Sequence, residues 1–216
     1  FRTVEQSDSH FAVAIQSLRK AVPVERHVIL IDTSASQNGR FRSDSAAVLS
    51  SLSRLLPQDH LIQVVAVDST FEPLSEGYVK PGSAEFTAAI QRLSERTPMG
   101  ATNLSTSLAK AVARADADAP ASLLYIGDGV SSSNLLSADD LSRIVTELND
   151  AEVSFHALLL GPKVDTELSG VLANQSGGTC QNPSRVNPDD LAERLSDAIS
   201  IAPEFVSNLT TNDAAL

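Results

Sequence analysis

The chain has 216 residues, 42% hydrophobic and 20% charged, which is ordinary globular usage and enough length for one large domain with its own core. Lysine and arginine number 16 against 27 aspartates and glutamates, a formal net charge of −11 that repels nucleic acid and anionic lipid, and the sequence shows no basic patch to reverse that. Its apolar runs, such as Ala157 to Leu160, fall far short of the roughly 20 residues a membrane span needs.

The chain begins at Phe1 with no initiator Met and no leader-like segment, so it reads as a piece of a larger parent protein. Residues 1–24 form an N-terminal extension in which Phe11 to Ile15 alternate like an extra edge strand, followed by a loop through Pro23. From residue 25 to residue 203, apolar β-branched or Leu-rich runs alternate with amphipathic helical patterns. That order predicts an α/β domain, a doubly wound and mainly parallel sheet flanked by helices. The core strands are expected at His27 to Ile31, Leu61 to Val67, Ser122 to Ile126 and Val153 to Leu160, each apolar enough to be covered on both faces.

Six helices are expected between and after these strands. Their stripes are Val48, Leu52 and Leu55; Phe86, Ala89, Ile90 and Leu93; Leu104, Leu108, Ala111, Val112 and Ala115; Leu141, Ile144, Val145 and Leu148; Leu168, Val171 and Leu172; and Leu191, Leu195, Ala198 and Ile199. Ser137 ahead of Asp140, and Asn187-Pro188-Asp189-Asp190, are helix-start signals, so these acidic pairs read as caps. The polar residues 204–216 read as a tail or linker.

The chemistry-bearing residues fall where strands end. The first core strand runs into Asp32-Thr33-Ser34-Ala35-Ser36, and the strand Ser122 to Ile126 runs into Gly127-Asp128-Gly129. Between them in sequence lies Gly100-Ala101-Thr102-Asn103, opening the helix that starts at Leu104. In an open α/β sheet, ligands sit beyond the carboxyl ends of the strands, beside the reversal of strand order. Asp32, Ser34, Ser36, Thr102 and Asp128 therefore offer two carboxylates and three hydroxyls to one point. With no nitrogen or sulfur, this is a hard-oxygen set suited to Mg2+ or Mn2+ rather than zinc. Two carboxylates balance a divalent charge, and the hydroxyls add coordination without charge, leaving the ion open to another anionic oxygen.

These residues resemble the metal-ion-dependent adhesion site of von Willebrand factor type A domains. Asp32, Ser34 and Ser36 match its Asp-x-Ser-x-Ser element, Thr102 its distant threonine, and Asp128 its Asp-Gly element, in the family's order. The resemblance covers about residues 25–203. Phe11 to Ile15 also resembles the strand preceding such domains in proteins similar to inter-α-trypsin inhibitor heavy chains. Two positions depart from the pattern: Ala35 stands for the commoner glycine, and Gly127 for the usual threonine or serine. The resemblance implies a Rossmann-like fold and direct metal ligation by the serines and threonine, in alternation with water. It also implies aspartates acting often through water, and a protein partner whose acidic side chain completes the metal shell. An adhesion role of that kind fits an extracellular, periplasmic or cell-surface setting, although the sequence itself assigns no compartment.

The competing function is an assembly subunit that engages an ATPase- or chelatase-type complex. A metal-dependent phosphatase is less favoured, because Ser34 stands where an Asp-x-Asp nucleophile motif needs its second acid. Neither Gly-x-Gly-x-x-Gly nor Gly-Lys-Ser/Thr occurs, and no Gly-x-Ser-x-Gly elbow is present, so nucleotide-binding and serine-hydrolase readings fail. No catalytic residue is expected, and the chain is read as a non-enzyme. His10, His27, His60 and His156 read as core-edge or solvated residues, Cys180 as a packed thiol in a late edge strand, and Arg40 and Arg42 as a solvated face or the rim for an acidic partner.

Overall fold

The computed structural model describes residues 21–115, 119–133 and 136–204. Six strands form one sheet: β1 Arg26–Asp32, β2 Leu61–Val67, β3 Phe71–Pro73, β4 Ala121–Gly127, β5 Val153–Leu159 and β6 Cys180–Gln181, in the order β3-β2-β1-β4-β5-β6. Every pairing is parallel except β2 with β3. The four long strands coincide with the expected runs to within one residue at each end. β3 escaped the sequence reading because three residues ending in a proline carry no periodicity. An antiparallel edge tolerates that proline, since one of its sides needs no N–H donor.

Side-chain alternation along the strands divides the core into two layers. Ile29 and Ile31 face α1 (Arg40–Leu55), α2 (Ala84–Glu95) and α6 (Pro188–Ile199); Val28 and Leu30 face α3 (Leu104–Val112), α4 (Ala138–Asp150) and α5 (Thr166–Ser176). The helices bury or half-bury the expected stripes with three departures. Leu55 and Val171 are exposed, and Ala115 lies beyond the end of α3. At α4, Ser137 and Asp140 form a reciprocal capping box; at α6 the capping side chain is Asn187, which accepts from the N–H of Asp189, while the Asp189 carboxylate accepts from Ser51 and Arg54 of α1 instead.

The expected strand at Phe11 to Ile15 and the tail from residue 205 onward lie outside the described residues. Among the described residues, Pro23 and Ile201 form an isolated antiparallel bridge, and no helix is long and apolar enough to cross a membrane. Cys180 stands in edge strand β6, half-buried and free, and burial pushes its thiol up in pKa and keeps it protonated.

The histidines are more connected than the sequence suggested. His27 and His60 are buried at the strands' starting end, their rings joined Nε2 to Nδ1 at 2.9 Å, with His27 Nδ1 2.7 Å from Ser122 Oγ. Burial, then the nearby His60 and His156, lower His27 to about 3; burial lowers His156 to about 4.

Candidate metal centre

β1 pairs with β2 on one side and with β4 on the other, so the strand order reverses at β1 and the chain opens a crevice where β1 and β4 end. Asp32 is the last residue of β1, and Asp128 directly follows β4. Both are buried, as are Ser34 and Thr102; Ser36 is half-buried. The five predicted residues meet here.

Local hydrogen bonds hold them in place. Asp32 Oδ1 accepts from the N–H of Ser34 at 2.8 Å, the tight Asx-type turn that makes the chain leave the strand and enter the short 3-10 helix Ala35–Gln37. That turn places Ser34 Oγ 2.9 Å from Ser36 Oγ. Thr102 Oγ1 donates to both Asp32 oxygens, at 3.1 and 3.2 Å. Its backbone is fixed in turn, the N–H donating to Ser132 Oγ at 3.1 Å and the C=O accepting from Ser133 Oγ at 3.0 Å. The same loop fixes the start of α3, where Ser131 Oγ accepts from the N–H of Leu104 at 3.3 Å.

Two departures from the family pattern now have physical explanations. Ala35 is exposed, and its N–H donates to Gly100 O at 3.2 Å without a left-handed backbone, so nothing there requires glycine. Gly127 is different, because a Cβ there would stand 2.3 Å from Asp32 Cβ and 2.6 Å from the Tyr125 hydroxyl. Tyr125 fills the space that a side chain at 127 would need. Its hydroxyl donates to Asp32 Oδ2 at 2.7 Å and accepts from the N–H of Gly129 at 3.1 Å. A phenol from inside β4 thus puts a hydroxyl beside Asp32, where position 127 can carry none. Sequence reasoning missed Tyr125, yet a lone tyrosine within an apolar strand is a signal, since its buried O–H must find a partner.

Charge is the centre's defining feature. Burial pushes the Asp32 carboxyl up from its ordinary pKa, the Asp128 charge adds to the rise, and hydrogen bonds from Ser34 and Tyr125 oppose it. Burial and the same two carboxylates hold the Tyr125 phenol far above its usual value, fixing it as a donor. Asp128 Oδ1 accepts from the N–H of Val130 at 2.9 Å. Among the described residues no Lys, Arg or His side chain pairs with either carboxylate.

The neighbouring carboxylate is treated in the opposite way. Asp68, which follows β2, lies at the same edge, and Asp68 Oδ2 receives Arg96 at 2.8 Å and the Thr33 hydroxyl at 3.0 Å. Arg96 also donates to Thr33 Oγ1, Thr70 Oγ1 and Glu72. Burial alone would raise Asp68, but its bonds from Arg96, Thr70 and Thr33 outweigh that and hold it below the usual carboxylate range. Thr33 thus faces Asp68, while Ser34 and Ser36 face the centre.

Two clustered acids and three hydroxyls, short of positive charge, have the chemistry of a hard divalent cation site. No cluster of three or more His, Cys, Asp or Glu exists among the described residues, so a cation here depends on Ser and Thr oxygens as well as on the acids. A cleft of about 600 Å3 lies at the other end of the sheet, lined by Val22, Leu148, Pro203 and others, and contributes nothing to this centre.

Comparison with known proteins bears on the family and the fold. Residues 26–182 match the family described as von Willebrand factor type A domain, and the chain belongs to that family. No curated protein sequence matches significantly. Among solved structures, a von Willebrand factor type A protein from Catenulispora acidiphila superposes with a TM-score of 0.65 at 20% identity, over 81% of this chain and 41% of that one. This chain therefore spans well under half the length of that relative. Manganese-loaded TRAP protein from Plasmodium vivax superposes with a TM-score of 0.58 at 16% identity, over 84% of this chain and 76% of that one. The SpRpn10 VWA domain does so with 0.61 at 10% identity, over 79% and 95%. At these identities the likeness is one of fold.

Proposed function

We propose that this domain binds a protein partner through a divalent cation, Mg2+ or Mn2+, held by Asp32, Ser34, Ser36, Thr102 and Asp128, in an adhesion-type role within a larger protein. The observation that carries the reading is the pairing of Asp32 and Asp128 at the sheet's switch point with no basic side chain to balance them, beside hydroxyls gathered by the Asp32 turn. The bound ion would act as a Lewis acid toward an anionic oxygen, and a Glu or Asp carboxylate of the partner supplies that oxygen. That a related fold has been crystallised with manganese supports the choice of metal.

The role is binding, not catalysis. Hydrolysis would need an activated nucleophile with a positioned base. The Tyr125 phenol is held protonated, and the histidines described lie at or within the strands away from the β1 turn. Isothermal calorimetry tests the reading: Mg2+ or Mn2+ should bind the native domain, and Asp32→Ala or Ser34→Ala should abolish or weaken binding at least tenfold. Unchanged affinity in both variants, or metal-dependent phosphatase turnover lost in Asp32→Asn, overturns it.

A further inference from the structure

Beside the candidate metal centre lies a cleft of about 420 Å3, lined by Arg40, Phe41 and Asp44 of α1, by Leu160 and Gly161 after β5, and by the 182–186 loop with Arg185. Its wall is continuous with the centre. Gly161 packs so closely on Asp128 that a Cβ there would stand 2.6 Å from the Asp128 Cβ, and Gln37, next after Ser36, donates to Leu160 O at 3.0 Å.

The cleft's charge is opposite in sign to that of the chain. In a protein of net charge −11, two guanidinium groups face one carboxylate. Arg40 and Arg185 make no ion pair or hydrogen bond among the described residues, and Arg40 stands over the Phe41 ring at 5.0 Å, which favours a defined position for its guanidinium. α1 adds to the positive potential, since its N-cap is Gly39, with no capping side chain and no acid in the first turn. Arg42, by contrast, is committed to Leu93 O and does not serve the cleft.

We infer that this cleft takes a second carboxylate of the same partner, so that the domain recognises an acidic peptide segment with one acid at the cation and another, close in sequence, between Arg40 and Arg185. The inference rests on the proposed function. Arginine suits the task because its planar fork receives a carboxylate bidentately, and Asn182 and Ser184 in the cleft wall add neutral donors.

A blocked hexaglutamate peptide and a blocked Gly-Gly-Glu-Gly-Gly peptide serve as probes, titrated by calorimetry in saturating Mg2+. The expected result is that Arg40→Ala/Arg185→Ala weakens hexaglutamate binding about tenfold and leaves the single-acid peptide unaffected. Arg54→Ala/Arg194→Ala, which removes the same charge elsewhere on the surface, should leave hexaglutamate binding nearly unchanged. Equal losses in the two double variants, or no loss in either, overturn the inference. A separate Mn2+ titration followed by electron paramagnetic resonance distinguishes the two levels of failure. Retained Mn2+ binding with no effect of the cleft variant overturns the second subsite alone, whereas no Mn2+ binding by the native domain overturns the proposed function and the inference with it.

Discussion

Asp32 and Asp68 stand at the ends of two adjacent parallel strands, both nearly inaccessible to water, and the fold treats them differently. Asp68 receives a guanidinium, two hydroxyls and a backbone N–H, and its carboxyl is held low. Asp32 receives hydroxyls and a backbone N–H but no cation, has Asp128 nearby, and its carboxyl is pushed up. Burying a carboxylate is costly unless a positive charge accompanies it. The Asp68 side is thus a closed structural ion pair, and the Asp32 side an arrangement in which a positive charge from outside is stabilising.

The strongest way to break this contrast is to give Asp68 the same deficit. Arg96→Met should cost about 3 kcal/mol of stability, because it strands a buried charge, and the loss should appear as a melting temperature lowered by roughly 6–12 °C in circular dichroism. Adding the missing charge at Asp32 is the converse experiment. Mg2+ at a hundredfold excess over its dissociation constant should raise native stability by about 2.7 kcal/mol, and Asp32→Asn should remove the increment. The domain in EDTA should remain folded at room temperature, because the two hydrophobic layers are complete without an ion. Unfolding on chelation alone would make the metal structural.

The histidines at the opposite end of the strands sharpen the comparison, since theirs is a buried polar cluster that closes its own hydrogen bonds. His27 is lowered to about 3 in the folded state, so between pH 6.5 and 3 the unfolded chain binds more protons and stability falls as pH falls. From His27 alone the loss at pH 5 should be about 2 kcal/mol, with His156, lowered to about 4, acting in the same direction. Urea titrations at pH 7.5 and pH 5 with and without Mg2+ measure it, and His27→Gln should flatten the dependence. The smallest effect is expected at Tyr125→Phe. Removing the hydroxyl leaves Asp32 and the N–H of Gly129 each one partner short, at about 1.5 kcal/mol, with weaker Mn2+ binding as the accompanying sign.

The parts of this molecule legible in its sequence are those written locally. Continuous apolar strands, helix stripes and the Ser137 cap depend on residues a few positions apart, and Asp32 and Asp128 could be placed because a strand's end fixes where the next residue lies. Pairings across the sheet were not legible. Arg96 meets Asp68 over 28 positions and His27 meets Ser122 over 95, with nothing in either local segment naming the partner. Gly127 was visible only as a departure from a pattern. It took the position of the Tyr125 phenol to show that glycine and tyrosine there are one solution to a shared volume.

In the function proposed above, the crevice where β1 and β4 end holds a divalent cation through oxygens alone. Titration of Mn2+ into the native domain, followed by electron paramagnetic resonance alongside Asp32→Asn, Asp128→Asn and Asp68→Asn, tests it most directly. One bound Mn2+ per chain is expected, displaced by Mg2+, lost in the first two variants and retained in Asp68→Asn provided that variant stays folded. A native domain that binds no Mn2+, or binding that survives Asp32→Asn and Asp128→Asn unchanged, would rule out a cation at this crevice.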